Sequence, residues 1–195
     1  MTNKEKFITD MKGKLGNDIF VTELANKLEN INFFVAPASI NHHGNHDGGL
    51  YEHCSEVTFQ LLYLTKRLDL TWNRPESPYI VGMLHDLCKC DNYKKLRSRR
   101  PNAISMGLGN DDGCYEEKWE YNKDILLPGH GEKSVIIAQN IYGYLTEEEI
   151  MCIRWHMGAF DDKANWQYYS GAVAKYPNVL FTHTADMIAS QISTI

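Results

Sequence analysis

Met83-Leu84-His85-Asp86-Leu87 sets a histidine beside an aspartate inside an apolar run, Ile80 to Cys88. Such a run predicts a buried helix ending near Asp91, and ionisable groups inside one are costly unless paired or bound to metal. Adjacent helical residues point about 100° apart, so His85 and Asp86 can flank one point if other ligands arrive from neighbouring helices. The dipeptide alone is a weak signal, and its weight depends on what the other histidines and acids supply. Lys89 falls three residues after Asp86 and four after His85, on their helical face. A lysine there can neutralise phosphate charge, although a C-terminal lysine favoured by the helix macrodipole is the plainer reading.

Working outward, Leu50, Cys54, Val57, Leu61, Leu64 and Leu68 form an apolar helical stripe. His53 lies on or beside it, where a satisfied core histidine would be the ordinary reading. Before it, residues 31–49 read as a long loop containing His42, His43 and His46, and such loops are often functional. Phe7, Ile8, Met11 and Leu15 predict a first helix, and Ile19 to Leu28 a second with Leu24 and Leu28 inward. After the His-Asp helix comes a basic run, Tyr93-Lys94-Lys95-Leu96-Arg97-Ser98-Arg99-Arg100. A charge run is usually a solvated face, but this position also suits a phosphate-gathering lip. Asn110-Asp111-Asp112-Gly113 is a turn signal. Tyr115 to Tyr121 reads as a short strand, with Asp124 to Pro128 as its hairpin partner.

Gly129-His130-Gly131-Glu132-Lys133-Ser134 opens a helix with Val135, Ala138, Ile141, Tyr142 and Leu145 periodic. Thr146 to Glu149 is a capping box for a short helix that ends at His156. Residues 159–177 look loop-rich. A final helix spaces Phe181, Ala185, Ile188 and Ile192, and carries His183 and Asp186; Asp186 sits among apolar neighbours and needs a partner. The expected fold is all-α with a small β-hairpin insertion around residues 113–128. One domain spans 1–195, with a metal-binding core at about 40–190 and helices within 1–30 packed on it.

The 195 residues are 43% hydrophobic and 23% charged, ordinary globular values. A net charge of −5 argues against non-specific duplex binding by the whole surface, while leaving room for a local basic groove. No apolar run approaches the roughly 20 residues needed to span a bilayer, and the N-terminus lacks an apolar signal core. A soluble cytoplasmic protein is expected. Cys54, Cys88, Cys90, Cys114 and Cys152 are odd in number and scattered, which fits reduced thiols. The Cys88-Lys89-Cys90 spacing is wrong for a zinc knuckle.

His53, His85, Asp86 and Asp186 thus fall on three separate helices, each near a buried face. Two imidazoles and two carboxylates suit Mn²⁺, Fe²⁺, Co²⁺, Ni²⁺ or Mg²⁺, with zinc also compatible, and lack the thiolates of a structural zinc site. His130 and His156, both at helix ends, can add a second ion bridged by Asp86.

This order resembles the HD-domain metal-dependent phosphohydrolase superfamily. The local wording is close in Gly48-Gly49-Leu50-Tyr51-Glu52-His53, Leu84-His85-Asp86-Leu87-Cys88-Lys89, Gly129-His130-Gly131-Glu132-Lys133-Ser134-Val135, Arg154-Trp155-His156-Met157-Gly158 and His183-Thr184-Ala185-Asp186. The resemblance covers about residues 40–190 and is poor for substrate. It implies a helical bundle around a metal, with His53, His85, Asp86 and Asp186 as ligands and Lys89 facing substrate. His130 and His156 match the added ligands of two-metal members. Segment 92–129 departs from the minimal family core.

The implied activity is hydrolysis of a phosphate ester of a nucleotide or similar small substrate by metal-activated water, with Asp86 and Lys89 catalytic. Arg97, Arg99 and Arg100 would hold phosphate oxygens. His42, His43, His46, Glu132 or Lys133 would shape the pocket or protonate the leaving group. His183 reads as a neighbour of the ligands or a core residue rather than a ligand. One alternative is a phosphodiesterase or 3′-5′ exonuclease on single-stranded nucleic acid, drawing on the basic run and Trp166-Gln167-Tyr168-Tyr169. Another is a non-catalytic nucleotide sensor.

Overall fold

The apolar stripe read from Leu50 onward builds α3 (Gly49–Leu68), the long central helix. Leu50, Cys54, Val57 and Leu61 are buried on it, while Leu68 is exposed where the helix outruns the core. The computed structural model describes residues 1–41, 44–99 and 115–193, with the side chain of Arg99 outside that description. His42, His43, Arg100, Cys114 and the Asn110 to Gly113 turn lie outside the described residues. The protein is mostly helical with one small two-stranded antiparallel sheet.

Helices α1 (Asn3–Met11) and α2 (Asp18–Asn30) start at Thr2 and Asn17, whose side chains accept backbone N–H groups. Leu24 and Leu28 face inward as expected. The 31–48 connection is less open than a polar loop. Phe33, Phe34 and Ala36 are buried, and the Phe34 ring packs edge-on against Phe7 at 5.7 Å between centroids. Aromatic burial therefore fixes the loop, and its Ala38 and Ser39 reach the cavity described below.

The expected helix through His85 to Asp91 is divided. Helix α4 (Ser77–Leu84) ends before His85, a tight turn covers residues 85–88, and α5 (Lys89–Asn92) follows. Within the turn the Lys89 N–H donates to Asp86 O and the Cys90 N–H to Leu87 O, both three residues back. Three-residue bonding eclipses side chains i and i+3, which stacks Lys89 on Asp86.

The hairpin also differs from expectation. Strand β2 (Tyr115–Tyr121) forms as read, but its partner is β1 (Tyr93–Arg99), the basic run itself, and not Asp124 to Pro128. The register sets Lys94 opposite Glu120, Arg97 opposite Glu117 and Ser98 opposite Glu116. Opposite charges across an antiparallel pair stabilise it, and sequence distance hid that complementarity.

Helices α6 (Gly131–Tyr142) and α7 (Glu147–Trp155) follow, the latter with the Thr146/Glu149 capping box in place. Residues 159–177 are not simply loop: α8 (Trp166–Lys175) packs on α7 and on α9 (Asn178–Gln191). On α9 the buried face is Val179, Thr182, Ala185 and Ala189. Ile192, expected inside, is 73% exposed, and Phe181 and Ile188 are only partly covered. Small residues on that face let α9 lie close to α3 and α7. Among the described residues no helix is long and apolar enough to cross a membrane. Cys54, Cys88, Cys90 and Cys152 are buried free thiols.

Candidate metal centre

Two close backbone approaches bring the histidines together. A Cβ at Gly82 would lie 2.6 Å from Thr58 Cα, so only glycine lets α4 pack this tightly on α3. That contact delivers His85 to His53, whose Nε2 atoms are 3.3 Å apart. Likewise a Cβ at Gly131 would lie 2.0 Å from Arg154 O, so the start of α6 abuts the end of α7. That second contact sets His130 Nε2 3.0 Å from His156 Nε2.

Asp86 joins the two pairs. Its Oδ2 is 3.4 Å from His53 Nε2, 3.6 Å from His85 Nε2 and 2.6 Å from Lys89 Nζ. Its Oδ1 is 2.9 Å from His130 Nε2 and 3.4 Å from His156 Nε2. Asp186, from α9, closes the first group with Oδ1 3.1 Å from His53 Nε2 and 4.0 Å from His85 Nε2. His53, His85, Asp86 and His156 are buried.

Tautomers decide what these nitrogens offer. His85 Nδ1 lies 2.9 Å from Gly82 O, and His156 Nδ1 2.7 Å from Ile153 O. Each ring sits at the end of its helix and donates Nδ1–H to the carbonyl three residues back. In a neutral ring this leaves a lone pair on Nε2, the arrangement of metal-binding histidines held by a partner on the other nitrogen. The two Nε2 lone pairs then face carboxylate oxygen, which is repulsive until a cation stands between them. Asp86 Oδ1 is also a buried oxygen without a well-aligned hydrogen bond among the described residues. These donors fit one or two divalent ions.

The electrostatics agree. Burial pushes the His85 imidazole down to about 3, so it stays neutral. Burial also opposes ionisation of Asp86, but the Lys89 ammonium on one oxygen, with His130 beside the other, outweighs it and holds the carboxyl well below the usual range. Burial likewise works against Asp186, but the hydrogen bond from His53 overcomes it, so this carboxyl too stays ionised. On Lys89 burial favours the neutral amine, but Asp86 and Asp186 prevail and the ammonium persists.

A cavity of about 840 Å³ opens on this cluster, lined among others by Asp86, Lys89, His130, His183 and Asp186. The described residues contain a buried His/Asp/Cys group whose ligand atoms lie within metal-binding reach of one another. No family model, curated protein or solved structure matches the chain. The reading of the site therefore rests on its geometry and on the sequence resemblance.

The seven residues read as ligands or as their lysine neighbour converge at this point. Most of the peripheral candidates do not. His46 pairs with Glu52 at 2.8 Å on the surface, and Glu132 pairs with Arg154. Lys133 is 2% exposed and bonds Asp91 and, at 3.1 Å, Asn92 Oδ1. It ties α6 to α5 instead of facing the cavity. Arg97 lies over the Tyr115 ring, 4.8 Å from its centroid. Lys94 is bonded to Asp124 at 2.8 Å, and Lys95 to Asp47 at 2.6 Å and to Glu117 at 3.2 Å. Lys94, Lys95 and Arg97 of the basic run are thus engaged within the hairpin, just after it and on the loop before α3. Tyr168 and Gln167 border a second groove, with Trp155 and Arg154, and do not line the cavity containing Asp86.

Two aromatic cavity neighbours escaped sequence reading. Tyr93 and Tyr121 flank its mouth; Cys88 Sγ, buried off the cavity wall, stands 3.5 Å from His130 Nδ1. The Lys89–Tyr93 spacing of four was a signal for the first; Tyr121 depends on strand register and gave none. His183 both lines the cavity and bonds His156 O through Nδ1 at 2.7 Å.

Proposed function

We propose that this chain is a metal-dependent phosphohydrolase of the HD-domain type, acting on a nucleotide or another small phosphate ester. One observation carries the reading: a buried carboxylate with imidazoles on both oxygens and a lysine against it, at a cavity of small-molecule size. His53, His85, Asp86 and Asp186 would hold one divalent ion, with Asp86, His130 and His156 offering a second position. A bound ion supplies hydroxide from water near neutral pH and screens charge developing on the phosphoryl group. Manganese suits the mixed nitrogen and oxygen donors.

The chain's own groups do the rest. Lys89, kept charged by Asp86, binds a non-bridging phosphate oxygen as a compact point charge. Glycine-closed packing at Gly82 and Gly131 fixes the imidazoles before substrate arrives, so little reorganisation is needed during reaction. His183, whose Nδ1–H is held by the His156 carbonyl, borders the cavity and, as the doubly protonated imidazolium, would pass its Nε2 proton to the leaving oxygen. Spent hairpin cations and a separate aromatic groove favour a small ester over a nucleic-acid strand.

Purified protein supplied with Mn²⁺ and offered nucleotides, generic phosphodiesters and labelled single strands tests the reading. Phosphate release from small esters, abolished by Asp86→Ala, is expected. Bound metal with no cleavage of any ester would sink it, and cleavage of strands alone would replace it with the exonuclease reading.

A further inference from the structure

We propose that the cavity selects a phosphate monoester carrying an uncharged planar ring, a nucleoside monophosphate in preference to a di- or triphosphate. This rests on the hydrolase reading above. The first support is an aromatic mouth. Tyr93 and Tyr121 are directly opposed at the hairpin base, with ring centroids 5.5 Å apart, and both line the cavity. Phe160 lines it too and lies 6.2 Å from the His183 ring. Tyr121 is 59% and Phe160 69% exposed. Large aromatic faces left open at a cavity mouth are the surface on which a base stacks, whatever its sequence identity.

The second support is a charge inventory. Among the described residues lining the cavity, Lys89 is the one lysine or arginine. The nearby cations Lys94, Lys95 and Arg97 are engaged by Asp124, by Asp47 and Glu117, and by the Tyr115 ring. Beyond Lys89 and the Asp86 cluster the described wall offers aromatic and thioether side chains, Tyr93, Phe160, Met157 and Met187, and the neutral polar Ser39, Ser190 and Gln191. One phosphate can sit on Lys89 and the metal positions, but further phosphates would meet a described wall with no second lysine or arginine to balance their charge. Gln191, exposed where it borders the cavity, supplies both a donor and an acceptor for a ring edge.

The distance along the chain fits as well. Lys89 and Tyr93 are four residues apart across α5, so phosphate cation and ring wall belong to one short segment. In the reaction, water oxygen bonds to phosphorus and the phosphorus–oxygen ester bond breaks. Its electron pair stays on the alcohol oxygen, which takes up a proton, releasing inorganic phosphate and the free nucleoside.

The test compares adenosine monophosphate, ribose phosphate and adenosine triphosphate with Mn²⁺, by phosphate release and by equilibrium dialysis. The ring is expected to raise kcat/KM about tenfold over ribose phosphate, and the triphosphate to fall below the monophosphate. Tyr121→Ala and Tyr93→Ala should collapse the ring preference towards one, and the phenylalanine variants should restore it. Equal turnover of the two monoesters, or a preference for the triphosphate, overturns the proposal. If no ester is hydrolysed, the hydrolase reading falls instead. The ring claim is then upheld if adenosine monophosphate binds more tightly than ribose phosphate, and refuted if it does not.

Discussion

Around Asp86, histidines from α3 and from the ends of α4, α6 and α7, with Asp186 from α9, converge on one buried carboxylate; along the β1–β2 hairpin, charges lie in the open and oppose acids or aromatic rings. Both regions collect charge, with opposite consequences. In the first, lone pairs and carboxylate oxygens face each other and call for a cation. In the second, the described cations Lys94, Lys95 and Arg97 are engaged by acids or a ring, and the strands serve as a wall carrying Tyr93 and Tyr121. The comparison teaches that a basic run adjacent to a site is not thereby part of it; the partners of each charge decide.

The strongest way to break the comparison is Asp86→Ala. Losing the carboxylate shared by both imidazole pairs should lower phosphate release by at least about 10³-fold, since positioned electrostatic groups carry much of such catalysis. Full activity in the variant would mean that the convergence is only packing. Next come the two lysines. Lys89→Met should weaken kcat/KM by about 10²-fold, whereas Lys133→Met, which removes only the tie from α6 to Asp91 and Asn92, should leave kinetics unchanged. Equal losses in both would return Lys133 to the substrate side.

The sequence made the first region legible and the second misleading, for a physical reason. His53, His85, Asp86 and Asp186 each stand in an apolar helical context, so each announces its need for a partner locally. The basic run finds Glu116, Glu117 and Glu120 some twenty residues on, through a strand register that hydrophobic patterning does not encode. The turn at His85 to Cys88 was hidden because tightened helical bonding leaves the apolar pattern intact. On α9 the expected stripe was about one residue out of phase, because Thr182 and the small Ala185 and Ala189 fill the buried face that Phe181 and Ile188 seemed to claim.

Smaller effects sharpen the hairpin side. Neutralising Lys94 and Arg97 to glutamine should leave hydrolysis unchanged and alter stability by roughly 0.2–1 kcal/mol, as exposed pairs do. A large rise in KM would instead mark them as substrate contacts. The smallest expected effect concerns pH. Hydrogen bonds from Lys95 and then Trp119, at 2.6 and 2.8 Å, hold the Asp47 carboxyl below its ordinary value. A depressed folded value stabilises the native state above the unfolded value, about 3.9, and the gain is lost as pH falls through the folded one. Thermal melts of wild type and Asp47→Asn should differ slightly at neutral pH and converge in acid. A gap that persists in acid would show that the tether does not act through charge.

We propose that the buried His/Asp cluster is a two-position site for divalent cations bridged by Asp86. Titration of Mn²⁺ into the purified chain, with elemental analysis, tests it most directly. Two ions per chain in the wild type, one in His130→Ala or His156→Ala and none in Asp86→Ala are expected. A wild type that binds no metal, or a stoichiometry unmoved by Asp86→Ala, would contradict it.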